Sequence, residues 1–377
     1  MNRLVLPLLA SLGLASSAAL FAAEQEAEPA AEKPNYKLVT VAEGLEFPWS
    51  LAFLPDGRML VTERPGRLRI VTADGQLSPP VTGVPAVFAQ RQGGLLDVVL
   101  DPQFASNARV YLSYAEADAA GLAGTAVARG KLVGNALTGV EVIYRQTPKS
   151  EGGLHFGSRL AFAPDGKLFI TQGDRYLMKD MAQTLDNDFG KVVRVNPDGS
   201  IPTDNPFVRT AGARPEIWSY GHRNMQGAAI HPQTGKLWTH EHGAMGGDEI
   251  NLDEAGKNYG WPVITWGINY DGKPIGIGTT KEGMEQPLLY WKPSIAPSGM
   301  AFYTGDKFAA WRGNLFVGSM KFAYLNRIEL DGTKVKAEHK LLTEVNERIR
   351  SVRQGPDGYL YVTTDTPKGR VLRLEPG

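Results

Sequence analysis

A histidine between glycines is the residue of this chain best suited to proton transfer. His155 lies in the run GGLHFGSRL at 152–160, at the start of a predicted strand that ends in a Pro-Asp-Gly turn. The glycines leave room for a ligand, and an imidazole titrates near neutral pH. Asp174 follows one hairpin later, where its carboxylate can meet the imidazole and raise its basicity. The pair predicts a general base; the plainer alternative is a histidine that only bonds a loop carbonyl.

Two further loops carry side chains suited to holding a polar ligand. The run GHRNMQG at 221–227 places Arg223 beside Asn224 between glycines. This pattern is typical of a clamp for a planar anionic or carbonyl group. Gln92 precedes a glycine pair at a predicted strand start and can present its amide to a ligand. A surface arginine and an ordinary loop glutamine are the alternatives.

A glycine-rich acidic loop at 240–249, with the sequence HEHGAMGGDE, has the composition of a metal site. Its backbone exposes carbonyl oxygens, and Asp248 and Glu249 add carboxylates, a donor set that suits Ca²⁺. Zinc bound through His240 and His242, which point the same way along a strand, is the second interpretation. A solvated acidic turn is the third. We favour calcium because no third imidazole is evident.

Basic residues form the last cluster. Lys321 follows a Gly-Ser-Met run, while Arg348 and Arg350 alternate onto one face of a predicted strand, with Arg353 beyond them. Together these cations suit a small ligand with several carboxylates. Two exposed surface arginines are the plainer alternative.

The composition excludes several classes of function. The 377 residues contain no cysteine, which excludes disulfides, thiolate nucleophiles and thiolate metal sites. Lysine plus arginine equals aspartate plus glutamate at 40 each, so no basic field indicates nucleic acid. Residues 1–23 have the basic start, apolar run and small residues of a secretory signal peptide, and 24–36 resemble a flexible acidic leader. A membrane anchor is the alternative. We expect a periplasmic protein with no membrane span once the signal is removed.

A repeated pattern predicts the elements that position these residues. An apolar strand, a Pro/Asp/Gly turn and a second β-rich strand recur six times, most clearly at 51–62, 160–171 and 352–363 and more loosely at 98–114, 228–239 and 300–317. This recurrence favours an all-β, six-bladed β-propeller over residues 37–377 rather than a two-domain sandwich assembly. We expect 37–41 to close the ring beside 370–374, with the site in the long loops between about 151 and 291.

The motifs occur in an order that resembles the soluble quinoprotein glucose/sorbosone dehydrogenases, particularly the aldose sugar dehydrogenases. The shared motifs are QGGLL, HFGSRLAF, GD, GHRNMQG, the acidic loop with DEIN, NYGWP, the late lysine and the RIR pair, between about 38 and 373. The resemblance implies a six-bladed propeller that binds pyrroloquinoline quinone (PQQ) and Ca²⁺ in a cleft near its axis.

The resemblance also implies roles for individual residues. His155 matches the base that removes the sugar C1 hydroxyl proton while hydride moves to the quinone C5, and Asp174 matches its partner carboxylate. Gly243 and Ala244 match the carbonyls that hold a calcium ion, a Lewis acid for the quinone. The other matches are Arg223 and Asn224 beside the quinone oxygens, Lys321, Arg348 and Arg350 at its carboxylates, Gln92 in the pocket, and Glu249 and Tyr259 at a structural calcium site.

Two departures from the best-known soluble glucose dehydrogenases affect specificity. Leu154 replaces the acidic residue before the base, and Gly243-Ala244 replaces Gly-Pro at the calcium carbonyls. We therefore expect an enzyme with broad aldose specificity that forms a lactone and passes electrons to an unidentified acceptor, as a monomer or homodimer. A calcium-dependent propeller lactonase and a non-catalytic carbohydrate- or protein-binding propeller are the alternatives.

Overall fold

A computed structural model describes residues 30–31 and 35–377. The predicted signal peptide, 1–23, and most of the predicted leader, 24–36, lie outside the described residues. Within 30–31 and 35–377, no helix is long and apolar enough to cross a membrane.

The Pro-Asp-Gly turns fold alike wherever they recur. In each turn the aspartate Oδ1 accepts the backbone N–H two residues later: Asp56 from Arg58, Asp165 from Lys167 and Asp357 from Tyr359, at 3.1, 3.1 and 3.2 Å. The glycine between them adopts a positive φ of 79–86°. The turn is therefore encoded locally, by an Asx bond and a residue without Cβ.

Antiparallel strands flank these turns and build the first three sheets. Blade one contains β3 to β5, blade two β6 to β9 and blade three β10 to β13. In chain order, after β1 (Ala30–Ala31) and β2 (Tyr36–Leu45), the strands are β3 (Pro48–Phe53), β4 (Met59–Glu63), β5 (Arg67–Val71), β6 (Leu95–Leu100), β7 (Arg109–Ala117), β8 (Ala123–Val133), β9 (Ala136–Arg145), β10 (Gly157–Phe162), β11 (Leu168–Gln172), β12 (Lys191–Val195) and β13 (Ile217–Tyr220).

The second half of the chain builds three more sheets. Blade four contains β14 to β17, blade five β18 to β21, and blade six β22 to β24. The strands are β14 (Met225–Ile230), β15 (Leu237–Glu241), β16 (Asp248–Asp253), β17 (Leu289–Trp291), β18 (Pro297–Phe302), β19 (Leu315–Ser319), β20 (Tyr324–Asp331), β21 (Lys334–Leu341), β22 (Ile349–Gln354), β23 (Leu360–Thr364) and β24 (Gly369–Pro376). The short helical segments are α1 (Phe104–Asn107) and two 3₁₀ turns, Lys179–Gln183 and Ala309–Trp311.

The six sheets form a closed ring, so the predicted six-bladed β-propeller is confirmed. The first strands of the blades, β3, β6, β10, β14, β18 and β22, contact one another in that order and back to β3. The six sequence repeats correspond to the first two strands of the six blades. The ring closes where β2 pairs antiparallel with β24, with Leu38 opposite Leu374. The predicted pairing of the chain ends is therefore present.

The amino-terminal boundary differs slightly from the prediction. Tyr36, the last residue of the predicted leader, is the first residue of β2 and is buried. Its hydroxyl accepts the backbone N–H of Leu342 at 2.8 Å. Ala30 and Ala31, also in the predicted leader, pair in parallel with β21. Blade five thereby gains a fifth strand.

Apolar side chains hold the blades together in pairs. One buried cluster joins blades one and two and includes Leu68 and Leu112. Equivalent clusters join each later pair, and the last returns from blade six to blade one through Val371 and Val61. Each blade therefore packs on both of its neighbours, and the hydrophobic core lies between the blades rather than within any single sheet.

Every first strand is irregular close to its start. The register shifts lie between Pro48 and Ser50, Leu95 and Val98, Gly157 and Leu160, Met225 and Gly227, Pro297 and Met300, and Ile349 and Ser351. β-Bulges redirect side chains and are enriched beside active sites. All six lie at the end of the propeller where first strands begin and second strands end.

A buried ion pair joins the first strands of blades two and three, β6 and β10, close to the axis. Asp97 and Arg159 are 0 and 1% exposed, and their Oδ1 and Nη1 atoms lie 3.4 Å apart. Asp97 also accepts hydrogen bonds from Ser50 Oγ at 2.6 Å and from Arg353 Nη2 at 3.0 Å. The Arg159 guanidinium stacks 4.0 Å from the ring of Trp49. Burial lowers the pKa of Arg159 to about 9, so it remains charged at neutral pH.

We expect Asp97→Ala to destabilise the fold strongly, because it leaves Arg159 and Arg353 without their shared carboxylate. Breaking a buried pair costs about 3–5 kcal/mol. The matched control is Glu254→Ala, which removes the exposed partner of Lys236 and should cost about 1 kcal/mol or less. Urea unfolding followed by tryptophan fluorescence measures both. Equal destabilisation by the two variants would contradict the role of the axial pair.

Candidate active site

The loop before β10 holds His155 in a constrained backbone conformation. His155 has a positive φ of 53° and is 6% exposed. Its backbone N–H donates to Gln92 Oε1 at 2.8 Å, while Gln92 N donates to Gly153 O at 2.9 Å. Gly173 passes directly behind it, and a Cβ there would lie 2.0 Å from His155 O. The loop and strand β11 therefore pack too closely for any residue but glycine at 173.

The His155 and Asp174 side chains form the predicted pair. His155 Nδ1 lies 2.7 Å from Asp174 Oδ1. Asp174 also accepts the Tyr176 backbone N–H at 2.8 Å and, on Oδ2, the Trp261 indole N–H at 2.8 Å. Burial alone would raise the pKa of Asp174, but the His155 hydrogen bond and the Arg223 charge outweigh it and keep that pKa low. Asp174 is thus an ionised acceptor.

The imidazole is neutral at pH 7. Burial lowers the pKa of His155 most, Asp174 opposes this, and the charges of Arg223 and Arg175 lower it further. A neutral imidazole beside a carboxylate carries its proton on Nδ1 and keeps the lone pair on Nε2. His155 therefore has the protonation state of a general base.

Arg223 and Asn224 lie beside this pair on the loop before β14. The Arg223 guanidinium donates to the carbonyl oxygens of His242, at 3.0 Å, and Gly243, and lies 5.3 Å from the Trp261 ring. Asn224 Oδ1 accepts the Gly157 N–H at 3.2 Å. Asn224 also lines a pocket, where its amide can face a ligand. Both residues therefore also brace the loops around them.

A pocket with cationic and amide walls opens at Phe156 and Gly157, the two residues that follow His155; His155 itself does not line it. Its lining includes Gln92, Asn224, Arg348 and Arg350, as the motifs predict, with the rest being Trp49, Leu96, Phe156, Gly157, Gln226, His242 and Met320. Asp365 Oδ2 accepts both arginines, at 3.3 Å from Arg348 Nε and 3.0 Å from Arg350 Nη2. The two guanidiniums therefore lie together at the start of β22, although Arg348 itself precedes the strand.

The lining fits a polycarboxylate. Arg350 is 7% exposed, which excludes the interpretation of an ordinary surface arginine, and its buried Nε makes no hydrogen bond within the described part of the chain. An unpaired buried donor is costly unless a ligand satisfies it. Lys321 is exposed and does not line this pocket, although its neighbour Met320 does. Arg353 pairs with Asp97 at the axis instead.

The glycine-rich loop partly matches its predicted role. Gly243 and Ala244 present neutral carbonyls of the kind calcium binds, but Gly243 O already accepts the Arg223 guanidinium. Asp248 is not free for a metal. Its oxygens accept the backbone N–H groups of Gly243, Ile295 and Ala296 and the Ser294 hydroxyl, at 2.6–2.9 Å. Asp248 therefore holds the loop, which corrects the metal-ligand prediction for this residue.

Glu249 and Tyr259 line a second, smaller cavity, together with Glu241 and Gly243. Burial and the neighbouring Glu241 raise the pKa of Glu249 to about 8. Two carboxylates close together in a buried site suit a cation. The Tyr259 hydroxyl, however, donates to Leu252 O and accepts Glu254 N–H at 2.9 Å. A side-chain role for Tyr259 in metal binding is therefore less favoured than one for Glu249.

The zinc alternative has little support. Burial lowers the pKa of His240 to about 3, and His242 Nε2 lies 2.5 Å from Pro297 O, to which it donates. Across 30–31 and 35–377, no three His, Cys, Asp or Glu side chains are arranged to hold a metal ion. The two histidines therefore serve the packing near the axis.

Several site residues were missed in the sequence. Trp261 anchors Asp174, Trp49 and Gln226 line the cation-rich pocket, and Glu241 bridges His222 Nδ1, at 2.9 Å, and the Arg223 N–H. Trp261 belongs to the NYGWP motif, whose tryptophan was a usable signal. Gln226 and Glu241 also belong to quoted motifs, GHRNMQG and HEHGAMGGDE, which gave a signal for them. Trp49 lies inside β3, where an aromatic residue is not distinguishable from a core residue by sequence.

The family described as Glucose / Sorbosone dehydrogenase matches residues 45–373. An aldose sugar dehydrogenase of Escherichia coli is 50% identical over 337 residues, covering 88% of this chain and 91% of the relative. The apo crystal structure of the soluble aldose sugar dehydrogenase from E. coli superposes with a TM-score of 0.89 at 48% identity, covering 91% of this chain and 100% of that one. A PQQ-bound aldose sugar dehydrogenase from Streptomyces coelicolor superposes with a TM-score of 0.73 at 29% identity, covering 92% and 100%.

Two buried histidines should differ in charge at pH 7.5. We expect His155 to be neutral and protonated on Nδ1. His222 should be doubly protonated, because Glu241 and Asp253 outweigh its burial and raise its pKa to about 9. Nitrogen-15 NMR of the imidazoles, assigned with single His→Gln variants, reports both states. A doubly protonated His155 at this pH would contradict its assignment as a base.

Proposed function

Because the chain belongs to the glucose/sorbosone dehydrogenase family, we propose that it is a quinoprotein that oxidises aldose sugars at C1, with PQQ as the hydride acceptor. The observation that carries this proposal is the hydrogen bond between His155 Nδ1 and Asp174, in a loop that leads directly into Phe156 and Gly157, which line the pocket together with Arg348 and Arg350. A base and a polycarboxylate site side by side suit proton removal from a sugar next to a bound quinone.

In the proposed reaction, His155 and Asp174 together remove one proton from the sugar. His155 Nε2 accepts the proton of the sugar C1 hydroxyl, and Asp174 stabilises the imidazolium that results. Trp261 and the Tyr176 N–H hold Asp174 so that its carboxylate cannot turn away. PQQ, when bound, supplies the two-electron acceptor for the C1 hydride. Loss of the hydroxyl proton and the hydride leaves a C1 carbonyl, which in a cyclic aldose is a lactone.

The cofactors would be held by groups already described. Arg348 and Arg350 meet the quinone carboxylates, and Lys321, which follows the pocket residue Met320, is the third cation that the resemblance assigns to them. Gln92 and Asn224 contribute amide groups. A calcium ion would use the carbonyls of Gly243 and Ala244, and a structural calcium would use Glu249 beside Tyr259; both sites are proposals from the resemblance. Arg223, which donates to Gly243 O, lies where it can stabilise negative charge on the ligand.

Cellular location and specificity are also proposed. A signal sequence at 1–23 would direct the enzyme to the periplasm, in agreement with a chain that has no cysteine to pair. Leu154 before the base offers no charge to select one sugar, which supports broad aldose acceptance. The electron acceptor is a separate molecule that these residues do not identify.

Reconstitution tests the function directly. Purified apoprotein is mixed with Ca²⁺ and PQQ and assayed with a dye acceptor on a panel of aldoses. We expect turnover that requires both cofactors, and a rise in melting temperature with PQQ. Absence of both effects would favour a lactonase, which hydrolysis of lactone substrates by the apoprotein with Ca²⁺ would reveal, or a binding module.

His155→Ala should abolish turnover and leave PQQ affinity within about threefold of wild type, since removing a general base costs about 10²–10⁴-fold in rate. His339→Ala, in the outer strand β21, is the control and should retain wild-type kcat. Dye-linked kinetics and quinone titration by fluorescence quenching measure both properties. Full turnover by cofactor-loaded His155→Ala would overturn its assignment as the base.

Arg348→Gln should weaken PQQ binding about tenfold or more, because it removes a charge-assisted contact to a carboxylate. Half of its side chain is exposed, so the fold should tolerate the change. Arg58→Gln, which removes another exposed arginine paired with aspartate, is the control. Equal PQQ affinity of Arg348→Gln and wild type would exclude this residue from the quinone site.

A further inference from the structure

Arg175 is a buried cation directly after Asp174 in the chain. It is 1% exposed, and its guanidinium donates to three backbone carbonyls rather than to a carboxylate: Leu154 O at 2.9 Å, Gly152 O at 2.5 Å and Ala123 O. The guanidinium also lies 3.9 Å from the centre of the Phe156 ring. Burying a charge costs desolvation free energy, and neutral carbonyls compensate less of this cost than a carboxylate does. This arrangement needs an explanation beyond general packing.

The carbonyls that Arg175 holds belong mainly to the loop that carries the base. Gly152 and Leu154 lie on either side of Gly153, whose oxygen Gln92 binds. The Arg175 backbone N–H donates to His155 O at 3.3 Å. The remaining contact, to Ala123, fastens the guanidinium to the first residue of β8 in blade two. One side chain thus ties the His155 loop to a neighbouring blade.

The backbone on both sides of the pair is held in the left-handed region. His155, Arg175 and Tyr176 have φ values of 53, 54 and 64°. Side chains with a Cβ adopt this region rarely, and it persists only where surrounding contacts impose it. The turn at Arg175 directs the Tyr176 N–H to Asp174 Oδ1 at 2.8 Å, and the same residue's side chain holds the His155 loop. Both halves of the pair therefore depend on Arg175.

We infer that Arg175 is a positioning residue for the catalytic base: its guanidinium fixes the 152–155 loop so that the His155 imidazole meets the Asp174 carboxylate. The inference rests on the proposed function for its kinetic consequences, but not for the geometry. It does not place Arg175 in contact with the sugar or the quinone.

The charge of Arg175 has a second consequence. The charged and titratable groups around the imidazole are Asp174, Arg175, Arg223, Tyr176 and His242. Among them, the cations Arg175 and Arg223 lower the pKa of His155, and Asp174 raises it. Removing the Arg175 charge should therefore raise the His155 pKa and move the acid limb of the kcat/KM profile to higher pH.

Two substitutions separate position from charge. Arg175→Met removes both, so we expect kcat to fall about 10²-fold, the size of effect that a misplaced catalytic group produces. Arg175→Lys keeps the charge but cannot donate to three carbonyls in the fork geometry of arginine. We expect kcat to remain reduced. The acid limb should lie at lower pH than in Arg175→Met, because the lysine keeps the charge that lowers the His155 pKa. PQQ affinity should change less than about threefold in both variants.

Arg194→Met is the matched control. Arg194 is another buried arginine of blade three, stacked 5.0 Å from the Trp218 ring and bound to Asp204 and Asn205. Its loss should lower the melting temperature without changing kcat or the pH profile. If Arg175→Met behaves like Arg194→Met, with a lower melting temperature and wild-type kinetics, the positioning role is wrong.

The geometry also has a readout that needs no turnover. In the apoprotein, the Nδ1-proton resonance of His155, hydrogen-bonded to Asp174, should broaden or disappear in Arg175→Lys and persist in Arg194→Met. If the wild-type protein shows no quinone-dependent aldose oxidation, the proposed function is refuted. Loss of the resonance in Arg175→Lys would still support the positioning role. An unchanged resonance in folded Arg175→Lys would overturn the inference.

Discussion

Six strands that meet at one axis bury the polar side chains that they direct toward it, and each buried charge needs a partner. At the centre of this protein, Asp97 and Arg159 are partners of this kind. Asp97 belongs to blade two and Arg159 to blade three, and their further partners extend to blades one, four and six. Arg159 Nη2 donates to Arg350 O at 3.2 Å, so the axial pair also supports a residue that lines the cation-rich pocket. The stability of the ring and the shape of the site are thus coupled through one buried charge.

The site itself depends on loops that pack against one another rather than on the strands alone. The His155 loop is bound by Gln92 from blade two, by Asn224 from the start of blade four and by Arg175 from the following hairpin. Asp174 is bound in turn by Trp261 from the long connection between β16 and β17. A proton acceptor can be held in one tautomer and orientation only if its partner is equally immobile.

Charge is distributed unevenly over this end of the propeller. Cations line the pocket that contains Arg348 and Arg350, whereas Glu241 and Asp253 lie behind the Gly243 loop, where both pair with His222. Burial and the charges of Arg223 and Arg175 lower the pKa of His155. Asp248 shows how composition can mislead here. A carboxylate in a glycine-rich loop suggested a metal, but surrounding N–H donors make it the residue that shapes the loop.

How much of this the sequence determined by itself depends on how local each feature is. The Pro-Asp-Gly turns, the six repeats and the pairing of the chain ends follow from short-range turn chemistry and alternating apolar residues, and they were predictable. His155, Asp174, Arg223, Gln92 and the arginine pair were recognisable because motifs of fixed spacing carry them. Trp261 on Asp174, Arg175 on the His155 loop, the exposure of Lys321 and the saturation of Asp248 were decided only by tertiary structure. These features depend on which donors and acceptors, distant in sequence, the closed ring brings within about 3 Å, the range of a hydrogen bond. A local sequence pattern does not determine such distances.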